Sequence, residues 1–268
     1  MQIIERGTGT PLVLIPPLPG RWEYVRPAVE ALAESFHVIT FSLCDEPSSD
    51  APFDPARGIE NYREQVLAVL NQLAVPRAVV LGISFGGVVA LRFAAEHPDR
   101  TSALVLASAP GPHWRLRRRH EIYARVPWIF GPLFLAEAPW RLRRELSAAL
   151  PRRSDSWAFT AEQVRTYLRA PISARRMAAR ARLIGRTPRA EDGARVAVPT
   201  LVVHGEPHLD HVVPVQGTVA YGELIRGARV RLLEKTGHLG TNMRPREFAA
   251  LVRDFLAETT EESPSSAA

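Results

Sequence analysis

Six residues, Gly82-Ile83-Ser84-Phe85-Gly86-Gly87, set the tightest limit on what this chain folds into. They follow the apolar, β-branched run "RAVVLG" and open "GGVVALRFAAEHP", whose apolar residues recur at helical spacing until Pro98 stops them. A buried strand must therefore turn into a helix within a few residues of Ser84. Glycines on both sides let the two backbones pass closely. A serine adds little to a core, and a tight turn does not need one. Its place between the glycines argues for a strained backbone conformation that lifts the hydroxyl clear of the sheet.

The same strand-helix alternation runs through the first hundred residues. "PLVLIPP" predicts a buried strand over Leu12–Ile15, and "FHVITFSL" another over Phe36–Leu43. "YVRPAVEALAES" has helical spacing, and "IENYREQVLAVLNQLA" puts Val66, Leu67, Leu70 and Leu73 on one helical face. "TSALVLASAP" reads as a further strand. The rhythm stops near Pro112 and resumes with "VPTLVVHG", "VRLLEKTGHLG" and a last helix, "PREFAALVRDFLAE". The expected class is α/β, a mostly parallel sheet flanked by helices. Residues 1–111 and 196–257 form the core and 112–195 an insertion. Residues 258–268, "ETTEESPSSAA", read as a disordered tail. Within the insertion, "RLRRRHEIYARV", "WRLRRELSAAL" and "AEQVRTYLRA" are expected helices. "VPWIFGPLFLAEAPW" between them reads as an apolar irregular stretch.

Composition narrows the function classes. The formal charge is +6, but Lys235 is the one lysine, so the basic excess is arginine. That skew fits codon bias as well as binding, and no nucleic-acid motif accompanies it. No apolar run reaches the length of about 18 residues that spans a bilayer. The start, "MQIIERGTGT", lacks the pattern of a signal peptide. A cytoplasmic protein is expected. The single cysteine, Cys44, has no internal disulfide partner.

A serine hydroxyl attacks poorly near neutral pH unless a base takes its proton and a carboxylate orients the base. With serine on a strand-to-helix turn, the partners follow as acid and then histidine. Of the eight histidines, His97 in "EHPDR" reads as a helix-end residue and His204 as the end of a strand. His238, in "KTGHLG", sits after a late strand among small residues and is the expected base. The acid is sought in the loop Gly205–Pro214, where Asp210 has the placing D-x-x-V-P and Glu206 competes with it.

With these motifs in order, the chain resembles the α/β-hydrolases that carry a helical cap. The resemblance rests on "GISFGG", "VHGEPHLDHVVP" and "TGHLG", and covers residues 1 to about 257. It implies a nucleophile at Ser84, an acid at Asp210 and a base at His238, with no cofactor and no metal. The acid loop is longer than the family's usual G-x-x-D-x-x-V-P. The family often has His-Gly after its first central strand; here Pro16 and Pro17 stand there, and proline has no N–H. Leu18 then falls at the oxyanion-donor position, with Phe85 as the second donor.

Two other classes stay open at this level. "EPHLDH" resembles a metal-hydrolase signature, with Glu206 in place of its first histidine. A binding protein on a hydrolase scaffold would retain the same residues. Within the serine class, ester hydrolysis is the expected reaction, on small or medium apolar esters. C–C bond hydrolysis, lactone opening and acyl transfer use the same three residues. Trp128, Phe130 and Phe134, with Ile129 and Leu133, are expected pocket walls, and Trp22 an entrance residue. Arg115, Arg117, Arg118 and Arg119 read as a solvated helix face. The expected partner is a small-molecule substrate, with no nucleic acid and no membrane span.

Overall fold

The computed structural model describes residues 1–116 and 118–261, without the side chains of residues 130, 132–135, 138 and 139. Its strands are β1 (Ile3–Arg6), β2 (Pro11–Ile15), β3 (His37–Phe41), β4 (Ala78–Ile83), β5 (Thr101–Ala107), β6 (Thr200–His204) and β7 (Arg229–Leu232). They form one sheet in the order β1-β3-β2-β4-β5-β6-β7. β1 pairs antiparallel with β3, and every other pairing is parallel. Parallel strands need covered faces on both sides, which is why their sequences are apolar throughout rather than alternating. Val13, Ile15, Val80, Leu104 and Leu106 belong to the apolar layer on one face. Leu12, Leu14, Val79, Leu81 and Val105 belong to the layer on the other. Each such fully buried side chain contributes roughly 1.5–3 kcal/mol of transfer free energy, so the strand ends are held on a rigid platform.

The helices up to the insertion are α1 (Arg26–Leu32), α2 (Glu60–Gln72) and α3 (Phe85–Glu96). In α2 the buried apolar residues are Tyr62, Val66, Val69 and Leu70, while Leu67 and Leu73 are partly buried against the core. Between β5 and β6 come α4 (Arg118–Arg125), α5 (Pro127–Ala136), α6 (Ala138–Ala149), α7 (Arg153–Arg169), α8 (Ala174–Arg186) and α9 (Arg189–Arg195). The chain ends with α10 (Val215–Val219), α11 (Tyr221–Leu224), α12 (Gly240–Met243) and α13 (Pro245–Glu261).

Several details depart from expectation. "PWIFGPLFLA" is helix α5 rather than irregular chain. Pro127 opens it, and a proline again falls in the first turn of α6, positions where a missing N–H costs no helical bond. No continuous apolar period in the sequence marks helix α8. Its buried face is Ala178, Arg180, Ala181 and Ile184, and an arginine on that face hides the apolar period. Residues 258–261 continue α13 instead of beginning a tail, and 262–268 lie outside the described residues. Among the described residues, no helix is long and apolar enough to cross a membrane.

The strand order reverses beside β2: β3 lies on one side of it and β4 on the other. Crevices at such switch points, outside the carboxyl ends of the strands, are where open α/β sheets bind ligands. Ile15 pairs with Gly82, so the loop after β2 and the turn after β4 leave the sheet side by side.

Candidate active site

The turn after β4 is built by exclusion of side chains. A Cβ on Gly82 would stand 2.1 Å from the Gly86 carbonyl oxygen, and one on Gly86 would stand 2.1 Å from that of Ile15. Glycine at both positions is what lets α3 start directly over the end of the sheet. Ser84 takes φ 54° and ψ −115°, a conformation that L-residues rarely adopt. Two bonds hold it there: its N–H donates to Ala107 O at 2.8 Å, and its carbonyl accepts from Gly87 N–H at 2.9 Å. The Ser84 side chain stands at the N-terminal end of α3, where the helix dipole favours negative charge.

His238 reaches this serine from the loop after β7. Its Nε2 lies 3.1 Å from Ser84 Oγ, and its Nδ1 lies 3.2 Å from Asp210 Oδ2. An ionised carboxylate only accepts, so Nδ1 carries the proton and Nε2 is left to accept from the serine hydroxyl. Asp210 is itself fixed, because Oδ1 accepts from the N–H groups of Val212 and Val213, both at 2.9 Å. Burial works against charge on both partners, but the pairing outweighs it. Asp210 is held below the usual carboxylate value by His238 and the two amides. His238 is held above the usual imidazole value by Asp210, with a further push from Glu145.

Glu206 has a different place. Its Oε1 accepts from Lys235 N–H at 2.7 Å, and its own N–H donates to Thr236 O at 2.7 Å. It braces the β6 loop against the β7 loop. Of the other "EPHLDH" groups, His208 lies 3.5 Å from Glu206. Among the described residues, no three His, Cys, Asp or Glu side chains gather as a metal-binding group. His97 caps the end of α3 with its ring 2.9 Å from Arg63, and His204 Nδ1 donates to Gly205 O at 2.8 Å.

The loop after β2 turns sharply, with Gly20 N–H donating to Pro17 O at 2.8 Å and Gly20 at φ +77°. Leu18 lies in this turn, and Phe85 begins α3 next to Ser84. Arg180 of α8 holds the turn from below. It is fully buried; Nη1 donates to Leu18 O at 2.6 Å, and the guanidinium grips Asp45 and Glu46. Removing one member of a buried charge cluster strands the others, at a cost of about 3–5 kcal/mol. Arg180→Ala is therefore expected to lose that much stability in denaturant unfolding. An unchanged midpoint would show that the cluster carries no net weight.

Helices between β5 and β6 wall an apolar cavity. Leu18 and Val212 border it from the core, and Trp114, Tyr123, Met177 and Arg141 from the insertion. It thus touches both the oxyanion-candidate turn and the loop of Asp210. Two of the aromatic residues expected at the pocket can be placed relative to this cavity. Trp128 is 78% exposed, Trp22 stacks near Arg26 instead, and neither lines the cavity. Trp128 falls on the outer face of α5, a choice that helix formation makes and an irregular stretch would not. The side chains of Phe130 and Phe134 lie outside the described residues. In the basic cluster, Arg119 is exposed and pairs with Glu137, while Arg117 lies outside the described residues.

Trp114, Arg180 and Glu145 were not singled out by sequence. Trp114 stands just inside the insertion where no period had begun, and the two charged residues sit among surface-like arginines.

Comparison with known proteins agrees with this architecture. The chain is 29% identical over 264 residues to a 2-hydroxymuconate semialdehyde hydrolase of Pseudomonas sp. (strain CF600), covering 95% of this chain and 89% of that protein. An enol-lactonase from Burkholderia xenovorans LB400 superposes with a TM-score of 0.77 at 22% identity, over 96% of both chains. An esterase from Exiguobacterium antarcticum gives 0.78 at 20% identity, over 95% of this chain and 94% of its own. At such identities the two structures speak for the fold alone. Residues 10–241 match the alpha/beta hydrolase fold as a family, and the chain belongs to that family.

Proposed function

We propose that this protein is a serine hydrolase that cleaves carboxylic esters of small or medium apolar substrates through an acyl-enzyme. The observation that carries the reading is the continuous hydrogen-bonded line from Ser84 Oγ through His238 to Asp210. In this scheme His238 Nε2 takes the Ser84 proton as Oγ bonds to the substrate carbonyl carbon. Asp210 holds the ring in the productive tautomer and offsets the charge of the imidazolium. The Leu18 and Phe85 N–H groups donate to the oxyanion. The imidazolium then passes its proton to the leaving alcohol, and water, activated by the same nitrogen, releases the acid. The apolar cavity beside Leu18 receives the substrate, a small molecule, and the inserted helices act as its cap.

C–C bond hydrolysis by the same residues is the second reading, favoured by the 29% identity to the 2-hydroxymuconate semialdehyde hydrolase. A panel of p-nitrophenyl esters of rising acyl length, run beside a lactone and a C–C hydrolase substrate, separates the two. Turnover of the shorter esters with kcat/KM falling along the series is expected. Esters at background with rapid cleavage of the C–C substrate would establish the second reading. Stoichiometric labelling of Ser84 by a fluorophosphonate with no turnover of any substrate would leave a binding protein.

A further inference from the structure

A second buried carboxyl group lies next to the base. Glu145, on α6 of the insertion, is 1% exposed. Its Oε1 accepts two backbone N–H bonds, both 2.8 Å, from Gly237 and Leu239. These are the residues on either side of His238. Its Oε2 is buried and, among the described residues, has no hydrogen-bond partner.

Burying a carboxyl group with one oxygen unpaired is costly, so this contact is a poor way to gain stability. It does something else well. The loop that carries His238 has glycine at 237 and 240, and glycine has no side chain with which to anchor the ring's backbone. One oxygen from a different part of the chain fixes both flanking amides. α12, which follows the loop, also packs on α6.

We propose that Glu145 is a positioning residue for His238, tying the seating of the inserted helices to the orientation of the base. This rests on the reading of His238 as base. When α6 is seated, the ring is aimed at Ser84; when α6 shifts away, both flanking amides lose their acceptor together.

The electrostatics agree with this placement. Burial pushes the Glu145 carboxyl up to about 7, against the pull of the Gly237 amide, His238 and the Leu239 amide; nearby Asp210 adds to the rise. The charged groups acting on the His238 ring are Asp210 from the β6 loop and Glu145 from α6. Both favour the imidazolium, so removing the Glu145 charge lowers the pH at which His238 becomes free to act as base.

Four variants test this with two readouts, ester turnover and the rate of Ser84 phosphonylation by a fluorophosphonate. Glu145→Ala is expected to lower both rates by about 10- to 100-fold, as small misplacements of reacting groups do, with KM little changed. Glu145→Gln keeps an oxygen for both amides. It is expected to recover most of the rate and to move the acidic limb of the pH profile to lower pH. A bracing role remote from the base would not move that limb. A folded Glu145→Ala protein with wild-type phosphonylation, beside an inactive His238→Ala, overturns the positioning role alone. Phosphonylation that persists in His238→Ala overturns the base assignment as well. Should Glu145→Ala not fold, Glu145→Asp decides, because its oxygen stops one methylene short. A folded Asp variant with an unchanged rate would refute the proposal.

Discussion

Replacing Ser84 with alanine is expected to remove ester turnover by about four to six orders of magnitude and to leave the fold intact. The change deletes one oxygen. It does not touch the glycines that permit the turn, and the bonds holding residue 84 are backbone bonds to Ala107 and Gly87. Alanine must still take the positive φ of 54°, so a small loss of stability accompanies the loss of activity. Under the proposed mechanism, residual turnover comes from the Leu18 and Phe85 amides and binding alone. The measurement is steady-state hydrolysis beside thermal unfolding and far-ultraviolet circular dichroism. A folded Ser84→Ala protein with near-normal turnover would eliminate the acyl-enzyme mechanism.

The second large effect is expected at Asp210. Asp210→Asn keeps the shape but presents an amide to His238 Nδ1, which stabilises the wrong tautomer. The expected loss in kcat is about 10⁴-fold. The carboxylate is also the leading group that holds the His238 pKa up against burial. Without it, the acidic limb of kcat/KM moves to lower pH. The stability profile changes too. Asp210 is depressed, so it contributes stability above its unfolded value near 3.8, and that contribution is lost as pH falls through its folded value. His238 is raised, so its contribution is complete below its unfolded value near 6.5 and is lost as pH rises through its folded one. The Asn variant is expected to lose both dependences. Glu206→Gln is the control: it perturbs the brace to Lys235, costs about 1 kcal/mol, and leaves the pH profile of turnover in place. Should Glu206→Gln instead show the steep loss of kcat, the acid has been misassigned.

Much of this arrangement was legible in the chain. The buried strands were visible because parallel strands must be apolar on both faces, and β2, β4, β5 and β6 carry continuous apolar runs. The turn at Ser84 was visible because close backbone approach leaves glycine as the residue that fits at 82 and 86. His238 was legible from its small neighbours. The insertion was read least well. Its helices bury charged residues such as Arg180 and Glu145, so hydrophobic period no longer marks the inward face. Trp128 shows the converse: a large aromatic residue suggested a pocket wall, yet the helix turns it outward.

Local sequence by itself determined the sheet-and-helix order, the strained serine and a short list for its partners. Those features follow from steric and hydrophobic rules that act over a few residues. Tertiary structure alone decided which of Asp210 and Glu206 faces the imidazole, because both share one loop and their direction depends on the β7 loop packed against it. It alone also decided that Arg180 grips the turn of Leu18 and that Glu145 grips the loop of His238. Those contacts join residues 162 and 92 positions apart, and no local rule reaches across such distances.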